Sequence, residues 1–328
     1  MKLLLITNRR KNKTSKYPEK YYIEEPRLEG AGTTEMAMLN RKKKDYSIEP
    51  IADTESGEAN REKRISTIES FLLDCIKDEY DCVFYIHGYG KTFVQSIEQA
   101  VEIRNRYSNA SVITFSWPAK EKEVLAVHIR ERYEEIQEIA KASIDALKEM
   151  FSDLGQAVKR LPANKTISIN LIIHSLGNYM LEHLIRREPN LDLKMFDNII
   201  HNQADVDIST HVQWIEKVIP KKKVYITANK HDSVLLISQM IHQEDMDDRL
   251  GDSIHIHYAE KDRAENAIYV DFTIAKDVMY HHQLFGLNAV DDNNYIRSFF
   301  ERVFSGKDGV KGESFEWSKE FKCYEMLK

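Results

Sequence analysis

The chain has little of what would identify it quickly. Among 328 residues there are three cysteines, Cys75, Cys82 and Cys323, and no C-x-x-C pair. That excludes a disulfide framework and a zinc site of ordinary ligand spacing, and it fits a reducing compartment. Twelve glycines and seven prolines are too few for a collagen-like or low-complexity chain. Long apolar runs are missing as well. Leu3-Leu4-Leu5-Ile6 falls short of the roughly 7–15 residues of a secretory core, and no run approaches the ~20 that cross a membrane. Neither charge sign dominates: 47 Lys and Arg stand against 53 Asp and Glu, a net charge of −6. A strongly basic nucleic-acid binder is therefore excluded as the first reading. A cytoplasmic protein with no nucleic-acid partner and no integral membrane association is expected.

What is present is a core. Apolar residues make up 42% of the chain and aromatics 10%, which excludes disorder as the default state. At ~150 residues per domain the length allows two domains, or one large α/β domain with elaborations. The start, from Met1 to Arg10, reads as a first β-strand running into basic residues. Residues 11–64 are polar and charge-rich, with basic runs at 9–13 and 41–44, and read as an N-terminal insertion or arm. Such runs are ordinarily solvated surface; steering of an anionic ligand is the sharper alternative.

Beyond Arg64 the pattern is regular. Helices are expected over 65–78, 93–107, 176–187, 210–218, 234–243 and 292–304. Strands are expected over 82–86, 111–115, 167–173, 196–200, 223–227 and 267–272, with a short one over 253–258. Residues 121–161 carry an apolar stripe at spacings of three and four, a long helix face that bends or breaks near Gly155. That face packs on the core or serves a homodimer. Residues 305–328 read as a tail packed on the surface. Strand–helix alternation of this kind makes a three-layer α/β/α sandwich with a mostly parallel central sheet.

In such a sheet ligands bind at the carboxyl ends of the strands. His174-Ser175-Leu176-Gly177 joins a strand to a helix, where a serine hydroxyl projects above the sheet. In G-x-S-x-G terms the second glycine is Gly177, while Ile173 fills the first position. Ser175 is a nucleophile or a helix cap. His87-Gly88-Tyr89-Gly90 follows an apolar strand, and its glycines let backbone N–H groups turn toward a ligand. Gly90-Lys91-Thr92 imitates the end of a phosphate-binding loop, but Tyr85 occupies the required first glycine position. Asp232 follows the strand over 223–227 and either orients an imidazole or caps the next helix. Asp205 and Asp207 compete with it. His281 and His282 follow the last strand, and adjacent residues cannot both face one pocket. His255 and His257 would share a strand face, but no acidic or cysteine partner has ligand spacing, so no metal site is expected. Ser175, Asp232 and His282 lie at successive strand ends in the order Ser…Asp…His, with gaps of 57 and 50 residues. That is the chain order of α/β-hydrolases.

At these residues the chain resembles the α/β-hydrolase superfamily, and more narrowly a mostly bacterial family of uncharacterised physiological function. The matching pieces are Ile6-Thr7-Asn8-Arg9, Tyr85-Ile86-His87-Gly88-Tyr89, Phe115-Ser116-Trp117-Pro118, Ile173-His174-Ser175-Leu176-Gly177-Asn178 and Ala204-Asp205-Val206-Asp207. Further on come Asn229-Lys230-His231-Asp232, Arg249-Leu250-Gly251, and Val270-Asp271 followed by His282-Gln283-Leu284-Phe285. Two positions depart from it: Ile173 stands where a small residue is usual, and Gly90 where Asn is usual. The resemblance implies Ser175 as nucleophile, Asp232 as acid, His282 as base, and an oxyanion hole from the backbone N–H groups of Tyr89 and Leu176. It implies a serine hydrolase acting on a small-molecule or lipid-like acyl substrate, with no cofactor. A different class of function, a hydrolase fold kept as a binding module with weak or no turnover, is the alternative.

Overall fold

The apolar run Leu3–Ile6 forms the middle of the first strand, β1 (Lys2–Thr7), and is buried throughout. The computed structural model describes residues 2–12, 20, 22–26, 34–42, 45–50, 58–119, 129–164, 166–241, 248–252, 254, 263–276, 278–286 and 293–327. After β1 come β2 (Arg9–Lys11), β3 (Tyr22–Pro26), β4 (Glu35–Lys42), β5 (Asp45–Pro50), α1 (Glu58–Lys77), β6 (Asp81–Ile86), α2 (Phe93–Arg106) and β7 (Ala110–Ser116). The middle of the chain holds α3 (Ile129–Ala142), α4 (Ile144–Arg160), β8 (Ile169–His174), α5 (Gly177–Arg187), β9 (Asn198–Asn202) and the one-turn α6 (Val212–Ile215). The last part holds β10 (Lys223–Ala228), α7 (Ser233–Ile241), β11 (Ala267–Asp271), α8 (Asn294–Phe304), β12 (Phe315–Ser318) and β13 (Cys323–Met326). Among the described residues no helix is long and apolar enough to cross a membrane.

Among the described residues eleven strands form one sheet in the order β12-β13-β11-β10-β9-β8-β6-β7-β1-β4-β5. The run from β13 to β1 is parallel, and antiparallel strands close both edges. The parallel strands β1, β6, β7, β8, β9 and β10 are buried on both faces, as continuous apolar runs such as Cys82–Ile86 require. Alternate side chains serve different layers. Cys82, Phe84 and Ile86 join a core with residues of α1, α4 and α5, whereas Val83 and Tyr85 join a second core with Phe93 and Ile97 of α2 and Phe299 and Phe300 of α8. This is the expected three-layer arrangement. The chain goes from β6 to β7 on one side and returns to β8 on the other. The crevice above β6 and β8 is thus a topological switch point, where open α/β sheets bind ligands.

Three expectations need correction. The charge-rich stretch 11–64, read as an insertion or arm, joins the sheet through its described residues. It supplies β4, which pairs onto β1, and β5, which pairs onto β4 at the sheet edge, and α1 starts at Glu58 rather than near residue 65. Edge strands alternate polar and apolar residues, so their pattern is weaker than that of the buried strands. The last 24 residues are not only a surface tail, since β13 pairs in parallel with β11 at Val270–Asp271 and β12 folds back on it. The long helical stretch breaks at Ser143, not near Gly155, which lies inside α4. Ser143 Oγ bonds back to Ile139 O at 2.9 Å and accepts from Asn8 Nδ2 at 2.9 Å. A hydroxyl that bonds back onto the preceding turn bends a helix, and here Asn8, just past β1, holds it in place. Residues 120–128 lie outside the described residues. So does nearly all of the short strand expected over 253–258, with His255 and His257; Ile254, which is described, sits in a turn.

Candidate active site

Ser175 sits between β8 and α5 with φ at 53°. A non-glycine residue in the left-handed region costs free energy and persists only where its surroundings hold it. The holding groups are visible. Ser175 N–H donates to Asn202 O at 3.0 Å, and Asn178 Nδ2 donates to the carbonyls of Ile173 and Ser175 at 3.0 and 3.1 Å. Asn202 in turn accepts from His174 Nδ1 at 3.0 Å, and His201 Nδ1 donates to Asn178 Oδ1 at 2.7 Å. Ile173 fits at the elbow because Gly177 has no side chain: a methyl group on Gly177 would come within 3.2 Å of Ile173 Cγ2 and 2.9 Å of His87 O. The bulk that the motif usually avoids is thus absorbed by the glycine that the motif retains.

Asp232 is fully buried just before α7, and His282 is half-buried in the segment after β11. Asp232 Oδ2 accepts from His282 Nδ1 at 2.7 Å. Its other oxygen, Oδ1, accepts from the N–H groups of Val234 and Leu235 at 3.0 and 3.1 Å. The two readings of Asp232, imidazole partner and helix cap, are therefore served by its two oxygens. The ring of His282 lies 4.6 Å from that of His174, centre to centre, which places it beside the residue preceding Ser175. Its adjacent rival contributes backbone only to these contacts: His281 O accepts from Gln203 Nε2 at 2.9 Å and from Asn229 Nδ2 at 3.1 Å.

The loop after β6 comes directly onto the serine. A methyl group on Gly88 would sit 2.6 Å from Ser175 Cβ and 3.2 Å from Ser175 Oγ, so only glycine fits where this loop packs against the serine. Gly90 has φ of +74° with open space around it, a conformation that suits glycine or asparagine. His87 anchors the loop from within. Trp117 N–H donates to its Nε2 at 3.2 Å, so the ring proton is on Nδ1 and donates to Gly88 O at 2.9 Å. Burial, and then the nearby Arg9 charge, pushes the His87 pKa down to about 3, so the ring is neutral. Arg9 clamps the same loop. Its buried guanidinium donates to Lys91 O and Ser116 Oγ, both at 3.0 Å, and pairs with Glu24, whose Oε1 accepts from Phe93 N–H at 2.8 Å. Leu176 is buried at the start of α5, a helix N-terminus that favours developing negative charge.

Asp205 and Asp207 are engaged elsewhere. Asp205 accepts from Tyr133 Oη at 2.6 Å and from Ser238 Oγ at 2.7 Å, with Arg249 Nε 3.6 Å away. Asp207 accepts from the N–H and hydroxyl of Ser209 at 2.7 and 2.6 Å. Among the described residues no group of three or more His, Cys, Asp or Glu could hold a metal ion.

Sequence reasoning missed Gln203. Its φ of 41° turns the side chain into the site, where Nε2 donates to Asp232 Oδ2 at 2.7 Å and to His281 O, while Oε1 accepts from Leu284 N–H at 3.1 Å. One amide thus ties the buried carboxylate to both flanks of His282. The close approach that holds Gln203 was visible only as an isolated Gly251: a methyl group there would lie 2.2 Å from Gln203 C. Asn202 was missed as well, and Arg9 was quoted only as part of a matching piece, since a polar residue at a strand end carries no sequence sign of what it reaches.

The mostly parallel sheet with helices on both faces is the architecture of an α/β-hydrolase. The model of the family described as alpha/beta hydrolase of unknown function (DUF900) matches residues 65–291, more than half of the chain, and the chain belongs to that family. No curated protein matches the chain.

Proposed function

We propose that the chain is a serine hydrolase that cleaves an acyl ester or a related acyl bond. His282 takes the Ser175 proton through Nε2 as Oγ attacks the acyl carbon, while Asp232 holds the imidazole with its other proton on Nδ1. The carbonyl oxygen, negative in the tetrahedral intermediate, is received by the backbone N–H groups of Tyr89 and Leu176, each worth about 3 kcal/mol in the transition state. The intermediate collapses to an acyl-enzyme as His282 returns the proton to the leaving oxygen. Water, deprotonated by the same imidazole, then releases the acid. None of these steps calls for a metal or an organic cofactor. The observation that carries the reading is the 2.7 Å bond from His282 Nδ1 to the buried Asp232, set beside a serine in the left-handed conformation.

The test is covalent labelling by a fluorophosphonate. Wild-type protein should label once per chain, and Ser175→Ala should not label. Label at another residue, or wild-type protein that never reacts, sinks the proposal; the second result leaves the fold as a binding module.

Gln203 offers a finer check. Gln203→Leu removes a donor to Asp232 and frees the backbone around His282. A displacement of the base by an ångström is expected to cost about a hundredfold in kcat, with KM for a short ester little changed. Equal loss in KM alone would assign Gln203 to substrate contact instead.

A further inference from the structure

Helix α7 is apolar on almost every side. A helix in contact with water normally turns a polar face to it, and one that is apolar all round is normally buried. Here only Leu235 and Ser238 are buried, while Val234, Leu236, Ile237 and Met240 are 42–59% exposed. Three more large apolar side chains, Ile274, Met279 and Tyr280, stand 61–65% exposed on the segment after β11. The two segments are joined. Lys230 N–H donates to Thr273 Oγ1 at 2.9 Å, Asn229 Nδ2 to Met279 O at 2.8 Å, and Ser233 Oγ to Tyr280 O at 3.4 Å. Seven of the thirteen exposed large apolar side chains among the described residues therefore lie on two adjoining segments. Single exposed apolar residues need no explanation, but a cluster marks an interaction site. Met279 also has φ of 36°, in the left-handed region that non-glycine residues seldom adopt.

The position and the charge of this surface select its occupant. α7 begins immediately after Asp232, and the second segment runs directly into His282, so the patch borders the candidate active site. Among its described residues the exposed ammonium groups are those of Lys230, just before α7, and Lys276, between Ile274 and Met279, and the carboxylate of Asp232 is buried. An apolar face with cations at its edge is how a peripheral protein binds an interface of acyl chains and anionic headgroups. We infer that this face docks on an anionic lipid surface, from which an acyl lipid reaches Ser175. The inference rests on the hydrolase reading for the substrate class, but the docking itself requires no chemistry at Ser175.

The experiment is co-sedimentation of the full chain carrying Ser175→Ala with sucrose-loaded vesicles. One vesicle is phosphatidylcholine alone, and the other is phosphatidylcholine with an equal part of phosphatidylglycerol. The protein should bind the anionic vesicles more tightly than the neutral ones. Ile237→Glu combined with Met240→Glu should lower partitioning by more than about tenfold, because two side chains lose their burial in the interface. Lys230→Glu with Lys276→Glu, which leaves the apolar face intact, should abolish the preference for the anionic vesicle. Unchanged thermal midpoints check that both variants fold. The inference is overturned if the protein sediments with neither vesicle, or if the apolar substitutions leave binding unaltered. It is also overturned if sedimentation velocity shows a dimer that the Glu substitutions dissolve, since the face would then join two copies of the chain. Because Ser175→Ala is used throughout, a failure of the hydrolase proposal leaves these results readable on their own.

Discussion

Asp232→Asn is expected to lower kcat on a soluble ester by about 10⁴-fold. The size follows from the donors that surround the carboxylate. Oδ1 faces two backbone N–H groups, and Oδ2 faces Gln203 Nε2 and the ring of His282. Every one of these is a donor, so an amide NH₂ in either position meets another donor. The least costly escape is a change of tautomer. His282 Nδ1 would accept from the new amide, and the ring proton would move to Nε2, where it blocks uptake of the serine proton. Gln203 cannot relieve the clash by turning over, because its own oxygen already accepts from Leu284 N–H. The comparison with Asp205→Asn makes the prediction sharp. Asp205 is held by Tyr133 and Ser238 rather than by an imidazole, so its replacement should act mainly through stability. A loss in Asp232→Asn of less than about tenfold, with a greater loss in Asp205→Asn, would move the acid to Asp205.

Acid is expected to unfold the protein well before its carboxylates are all protonated. His87 and His201 are fully buried, and burial holds each pKa down to about 3; His174 is depressed as well, first by burial and then by the His282 charge. The folded state therefore keeps these rings neutral, while the unfolded chain takes up protons below pH ~6.5. A folded pKa lower than the unfolded one removes stability as pH falls through 6.5, by about 1.4 kcal/mol per pH unit and per group. At pH 5 His87 and His201 together amount to about 4 kcal/mol, with His174 acting in the same direction. That is a large part of a stability of roughly 5–15 kcal/mol. Urea midpoints measured at pH 7, 6 and 5 should fall steadily, and His201→Gln should flatten the slope. A midpoint constant over that range would show that these rings are not held neutral. The same rings fix the elbow and the loop facing it, since His201 orients Asn178 and His87 orients Gly88. The pH dependence of folding and the integrity of the site thus have a common origin.

The α/β class was legible because its signals are local. Cys82–Ile86 must be buried on both faces, and Gly177 follows a serine at a strand end. Asp232 and His282 follow later strands in the order that a parallel sheet would bring together. Edge elements were not legible. β4 and β5 alternate too weakly to stand out from a charged surface, and β13 finds a partner in β11 more than 50 residues away. The break at Ser143 needs Asn8, 135 residues earlier in the chain, and no periodicity within the helix foretells it.

The site divides in the same way. Residue type and order along the chain made Ser175, Asp232 and His282 the candidates, because a strand end announces itself by a short apolar run that stops. Only the tertiary structure decided that Asp232 faces His282 rather than His281, that Asp205 is occupied by Tyr133 and Ser238, and that Gln203 and Arg9 brace the two sides. The physical reason is range. Periodicity and glycine placement record what a residue does to its own few neighbours, whereas hydrogen-bond partners across strand ends are set by how the whole sheet twists and closes. In the same way the sequence marks 234–243 only as a helix, and the exposure of its apolar face is set by the folded chain.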